Sequence, residues 1–289
     1  MSALVGQTRG VVSRVVALDV PAAARAATLA ERLGLEFIAA DAGQADPSAA
    51  ALEVSSAGLA IRSAGGVRVT AATAKLASPL LPGRDLLARA LLTGQPGGPP
   101  GVVDATAGLG ADGFHLAALG HRVVMIEREP LLAVLLEDAL SRAVAGELGA
   151  TAAAAAGLGL TGRVTLVEGD TRDYLASMQA STAIVYLDPM FPSKSGRALT
   201  GKGMNTLRLE QQRDPAAAQA EDATLLAAAR AHASRRVVVK RPLRGEPLGK
   251  LAPSGSLRGR TVRYDLYAPL AANNVSSSGA SAPDGSTTR

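Results

Sequence analysis

The sequence predicts an α/β protein: a doubly wound, Rossmann-like parallel sheet preceded by a small α+β domain. Three observations predict it. From Val102 onward, short apolar runs alternate with helical stretches, the pattern of a parallel sheet covered on both faces. Four of those runs close on an acid: Asp104, Glu127, Asp170 and Asp188. Ahead of them, the Pro/Gly segment from Gln95 to Gly101 reads as a linker between units of different texture.

The first unit spans residues 1–94. Val11 to Leu18 reads as a strand, and Pro21 to Leu33 as an Ala-rich helix stopped by Gly34. Leu52–Val54, Leu59–Ile61 and Val67–Thr70 are short strands broken by glycines, and Asp85–Leu92 is a helix. The second unit spans 102–270. Its strands are Val102–Val103, Val123–Ile126, Val164–Val167, Ile184–Leu187 and Arg236–Val239. Its helices run to Ala118, from Leu131 to Ala145 and from Glu221 to Ala233. Ala150–Gly162 is low in complexity, and the Ser/Asn/Gly-rich tail, 271–289, reads as disordered.

Composition narrows the function. Of 289 residues, 47% are hydrophobic but only 2% aromatic, so the core is aliphatic. There is no cysteine, which excludes disulfides, cysteine–zinc sites, iron–sulfur clusters and thiolate nucleophiles. The three histidines are scattered without metal-ligand spacing, so no metal is expected. No run approaches the roughly 20 apolar residues of a membrane helix, and Met1–Gly10 lacks a signal-peptide apolar block. A cytoplasmic protein with no membrane partner is the expectation. The net charge of +5 leans towards a polyanionic partner.

The chemistry concentrates at the strand ends. Asp104-Ala105-Thr106-Ala107-Gly108-Leu109-Gly110 follows a strand and opens a helix, and its small residues let backbone approach a ligand. Glu127 closes the next strand, 23 residues after Asp104, where a carboxylate can accept both hydroxyls of a ribose. Asp170 closes the third and can meet the exocyclic amine of an adenine. Asp188 closes the fourth, in Leu187-Asp188-Pro189-Met190-Phe191. An amine on a flat base is a poor nucleophile, because its lone pair is delocalised into the ring. The Asp188 carboxylate and the Pro189 carbonyl can accept hydrogen bonds from its two N–H groups, and Phe191 can stack on the base. Val237–Val239 then delivers Lys240 and Arg241 to the sheet's end. Nine Lys or Arg lie between Arg235 and Arg263 against one acid, Glu246. With Lys194 and Lys202 in the Gly/Ser-rich loop after Phe191, they suggest a phosphate-contacting rim.

Together these residues resemble the RsmJ family, bacterial methyltransferases that modify a guanine N2 in 16S ribosomal RNA. The resemblance is carried by VVDATAGLGADGFHLAALGHRVVMIERE at 102–129, VYLDPMFP at 185–192 and RVVVKRP at 236–242. It implies a class I methyltransferase fold, S-adenosyl-L-methionine as methyl donor and the small ribosomal subunit or its 16S RNA as partner. It places cofactor contacts on Ala111, Asp112, Glu127, Arg128, Asp170, Thr171 and Asp188. The chain departs from the family at Ala111, where a large basic residue is usual, and at Asp170 and Thr171, often small hydroxyl residues there. It departs also at Leu80–Asp85 and Gly201–Met204, in RNA-facing parts. The residues leave open methylation of another amine, such as adenine N6 in RNA or DNA. They also leave open a non-catalytic ribosome-binding protein on the same fold. A dehydrogenase fits the strand-end acids poorly. The oligomeric state is not legible.

Overall fold

A computed structural model describes residues 12–40, 48–71, 85–91, 100–147, 160, 162–178, 181–189 and 215–270. The first sheet holds β1 (Arg14–Ala17), β2 (Glu36–Ile38), β3 (Ala51–Ser55), β4 (Gly58–Arg62) and β5 (Arg68–Val69), in the order β2-β1-β3-β4-β5. β1 runs parallel to both neighbours, whereas β3, β4 and β5 are antiparallel. Helix α1 (Ala23–Leu33) crosses between β1 and β2 and buries Ala26, Leu29, Ala30 and Leu33. Gly34 ends it in the left-handed conformation, φ 62°, as its sequence position suggested. The short edge strand β2 had gone unread, because its Glu36-Phe37-Ile38 is largely exposed and carries no burial signal.

The second sheet has seven strands: β6 (Val102–Asp104), β7 (Val123–Glu127), β8 (Val164–Glu168), β9 (Thr182–Leu187), β10 (Ala233–Pro242), β11 (Gly255–Arg258) and β12 (Val262–Tyr267). Their order is β11-β12-β10-β9-β6-β7-β8. The five strands from β10 to β8 are parallel, as expected. Two strands that the sequence does not announce, β12 and β11, add antiparallel at the β10 edge. They fall in the stretch that had been read as a basic rim. α2 (Leu86–Ala90), α3 (Ala111–Ala118), α4 (Pro130–Val144), α5 (Thr171–Ser177) and α6 (Pro215–His232) complete the α-helices among the described residues. α5 had not been read as a helix, and α6 begins at Pro215, six residues before Glu221.

Period-two alternation sends neighbouring side chains to opposite faces. Val102, Ile184, Tyr186 and Val238 pack with Leu87 of α2, Phe114 of α3 and Leu136 of α4. Val103, Val185, Leu187, Val237 and Val239 pack with Leu175 of α5 and Leu226 of α6. α4 is apolar on more than one side, which suits a helix sandwiched between layers. Leu131, Leu132, Val134 and Leu135 join the core of the first sheet, while Leu136, Ala139 and Ala143 join that of the second. A polar clasp fastens the same joint. Asp138 of α4 pairs with Arg25 at 2.7 Å and accepts the Leu59 N–H at 3.1 Å. The stretch 150–159 and the tail 271–289 lie outside the described residues.

Candidate active site

All five parallel strands deliver their carboxyl ends to one edge. Across it stand Asp170 beyond β8, Glu127 on β7, Asp104 on β6, Asp188 beyond β9 and Lys240 on β10. From β6 the chain winds outward through β7 to β8, then returns to β9 on the other side of β6. The reversal opens a crevice between β6 and β9, where ligands bind in open α/β sheets. Thr106 spans it: its hydroxyl accepts the Asp188 N–H at 2.6 Å.

The turn after β6 is pinned by Glu127. One carboxylate oxygen accepts the Gly108 N–H at 2.7 Å and the other accepts the Glu129 N–H at 2.9 Å. Burial raises this carboxyl to a pKa of about 7, against the lowering effect of those two N–H groups. Each oxygen can accept further hydrogen bonds, so the carboxylate that shapes the turn can also take hydroxyls. Gly108 and Gly110 have φ of 56° and 81°. A Cβ on Gly110 would meet Leu136 at 2.6 Å and Phe114 at 2.7 Å, so this glycine lets α3 pack. Gly113, which had not been singled out, does the same: a Cβ there would lie 2.8 Å from Asp104 Oδ2.

A dense polar cluster occupies the crevice floor. Asp104 is 1% exposed, and burial, with Asp112 next, raises its carboxyl to about 8. Asp112 Oδ2 accepts the Tyr186 hydroxyl at 2.6 Å and lies 2.6 Å from Lys240 Nζ. Lys240 Nζ is also 3.0 Å from Asp188 Oδ2. Burial and then the charge of Asp112 push the phenols of Tyr186 and Tyr264 well above their ordinary range, so both remain neutral. Sequence reading had found Asp104, Asp112 and Asp188 but not Thr106, Tyr186 or Tyr264. Thr106 and Tyr186 sit inside runs that read as plain turn and strand, and Tyr264 directly follows the basic stretch that ends at Arg263.

The β8 side is quieter. Asp170 caps α5 and holds Arg172 by two oxygens, at 2.9 and 2.5 Å; that guanidinium keeps its carboxyl below the ordinary range. Thr171 is buried and donates to the Ala105 carbonyl at 2.6 Å, fastening α5 to the β6 turn. Ala111 opens α3, and Arg128 faces Glu221 at 3.7 Å. Pro189 is buried behind Asp188. Phe191, Lys194 and Lys202 lie outside the described residues.

The basic stretch divides by depth. Arg241 is 7% exposed, and burial lowers its guanidinium to about 10. Arg263 grips fully buried Asp265 at 2.8 and 3.0 Å and donates to the Pro242 and Leu243 carbonyls. It is a structural cation, not one of the solvent-facing rim. Arg258 and Arg260, at the β11–β12 turn, are exposed. Among the described residues, no group of three or more His, Asp or Glu is arranged to hold a metal, and no helix is long and apolar enough to cross a membrane.

Comparison with known proteins agrees with this geometry. A family model described as "Putative SAM-dependent methyltransferase" matches residues 58–269. The chain is 40% identical over 264 residues to Ribosomal RNA small subunit methyltransferase J of Alkalilimnicola ehrlichii, covering 88% of this chain and 93% of that one. It is 44% identical over 171 residues to the protein of the same name from Thioalkalivibrio sulfidiphilus, where the match spans 58% of this chain and 62% of the relative. Among solved structures, a SAM-dependent methyltransferase from Neisseria gonorrhoeae superimposes with a TM-score of 0.65 at 29% identity, over 90% of this chain and 97% of that chain.

Proposed function

Since the chain belongs to the ribosomal RNA small subunit methyltransferase J family, we propose that it methylates the exocyclic N2 amine of a guanine in 16S ribosomal RNA, within the small subunit and in the cytoplasm. S-adenosylmethionine supplies, when bound, an electrophilic methyl group on a sulfonium. The residues present fit that donor. Glu127 offers a carboxylate with unused acceptor capacity to the ribose hydroxyls, beside a turn held by its own bond to Gly108. In this reading Asp104, Gly108, Gly110, Ala111 and Asp112 shape the side of the site next to β6 and α3, and Arg128, Asp170 and Thr171 the side that takes the adenine.

The observation that carries the reading is the position of Asp188. It leaves β9 at the switch point, its N–H fixed by Thr106, with its carboxylate 28% exposed beside the crevice. An acceptor held there favours the amine as positive charge arrives on its nitrogen, and it does so without reorganising. The Pro189 carbonyl takes the second N–H, and Phe191 stacks on the base and excludes water from one face. Alignment of the amine with the methyl group supplies much of the remaining acceleration. Lys194, Lys202, Arg258 and Arg260 contact phosphates, so binding weakens steeply with salt.

The test is transfer of labelled methyl to small subunits, naked 16S RNA and short oligonucleotides, followed by mass spectrometry of the nucleosides. N2-methylguanine from the structured substrates is expected. Label only in adenine N6, or none with any RNA, overturns the assignment.

A further inference from the structure

Lys240 is too enclosed for a phosphate-binding side chain. It is 22% exposed, and its Nζ lies 2.6 Å from Asp112 Oδ2 and 3.0 Å from Asp188 Oδ2. The two carboxylates come from different elements, Asp112 from the first turn of α3 and Asp188 from the end of β9. The parallel pairing of β9 with β10, with Val239 opposite Leu187, puts Lys240 next to Asp188. We propose that Lys240 is the positioning residue of the reaction: its ammonium bridges Asp112 and Asp188 and fixes the Asp188 carboxylate, ionised and in one orientation, for the target amine. This rests on the methyl-transfer reading above and adds a residue to it.

Charge explains the need. Asp104, Asp112, Asp188 and Glu127 crowd one strand edge, and the charges of Asp112, Asp188 and Glu127 each raise the cost of ionising Asp104. A protonated Asp188 would present a hydroxyl donor to an amine that needs acceptors. One ammonium shared by two carboxylates keeps them charged and leaves a net negative charge beside the nitrogen that becomes cationic. Burial works against the ammonium, but Asp188 and Asp112 outweigh it and hold it above its ordinary range. The bridge is braced from the same face: Tyr186 of β9 donates to Asp112, and Tyr264 of β12 lies within the field of Asp112, Lys240 and Asp188. Beyond these, Asp104 of β6 faces the carboxylates, and the Asp85–His115 pair joins α2 to α3 at 2.5 Å.

The test compares Lys240→Met, Lys240→Gln and Lys240→Arg in single-turnover methylation of the RNA the wild type modifies. Calorimetry with S-adenosylmethionine and thermal melts accompany it. The neutral variants should lose about a hundredfold in rate. Cofactor Kd and RNA KM should stay within about threefold of wild type. The acid limb of the rate profile should move up by about one pH unit or more, because Asp188 loses its counter-charge. Lys240→Arg should restore a large part of the rate. An unchanged rate and pH profile in Lys240→Gln overturns the proposal, as does a raised RNA KM at unchanged rate, which would mark a phosphate contact. Should Lys240→Met fail to fold, Lys240→Gln decides; failure of both would assign Lys240 to the fold and reject the proposal. A wild type inactive on every RNA fails the parent reading instead, so the two failures are told apart.

Discussion

Replacing Asp104 with asparagine is expected to make the protein more stable above neutrality, by an amount that follows from where the carboxyl sits. Asp104 closes β6 under α3, and burial raises its pKa from the ordinary 3.8 to about 8. The folded state therefore prefers the protonated acid. The stability it contributes is fully present below pH 4 and is lost as pH rises towards 8. At pH 7 the unfolded chain has released a proton that the folded chain keeps. Roughly three pH units of mismatch, at about 1.4 kcal/mol each, correspond to about 4 kcal/mol. Relaxation of the site and entry of water reduce the observable effect to about 2–4 kcal/mol. Asparagine has the same shape, cannot ionise, and keeps an oxygen for the Thr106 N–H, now 3.3 Å from Oδ1.

At roughly 2–4 °C per kcal/mol for a chain of this size, Asp104→Asn should melt about 5–10 °C above wild type at pH 8. Calorimetric melts from pH 5 to 9 provide the assay. The difference between the proteins should grow from pH 5 to 8 and level off above. A variant less stable than wild type at pH 8, or a gap independent of pH, would refute the burial argument. It would mean that the carboxylate is ionised in the fold and satisfied there. An acid that costs stability at the switch point is the kind of group retained for function. The same variant should therefore bind S-adenosylmethionine more weakly, although it folds better.

Asp188→Ala should lower turnover at saturating substrate by about a hundredfold or more while cofactor affinity, read by calorimetry, changes little. Cofactor binding should tighten between pH 6 and 8 as Glu127, with its pKa of about 7, becomes the ionised acceptor that ribose hydroxyls prefer; Glu127→Gln should abolish that pH dependence and weaken binding by about 1–3 kcal/mol. Arg263→Ala should destabilise the fold by about 3–5 kcal/mol in denaturant melts, because it strands the buried Asp265 carboxylate. The exposed pair Arg258→Ala and Arg260→Ala should leave the melts almost unmoved and flatten the salt dependence of RNA binding.

What sequence could and could not convey divides along one physical line. A strand end is a local event: an apolar run stops, an acid follows, and Asp104, Glu127 and Asp188 were legible one at a time. The helix-stopping Gly34 and the turn around Gly108 and Gly110 were legible for the same reason, since both answer to backbone conformation within a few residues. The β11–β12 hairpin was also local, with Val262, Tyr264 and Leu266 alternating against Arg263 and Asp265. There the density of cations masks the period-two pattern of β12. Depth is not local. Arg263 and Arg258 look alike in sequence, yet one is sealed against Asp265 and the other faces solvent, because Arg258 lies on the edge strand β11 and Arg263 on β12, between β11 and β10. Sheet order is the least local property. That β10 settles beside β9 depends on the reversal after β8 and on the return of the chain to a parallel strand after α6. Only that adjacency turns Lys240 from one more cation in a basic stretch into the partner of Asp188. Single groups at a strand edge can thus be nominated from residues alone. The couplings between them, which decide charge state and orientation, are consequences of topology.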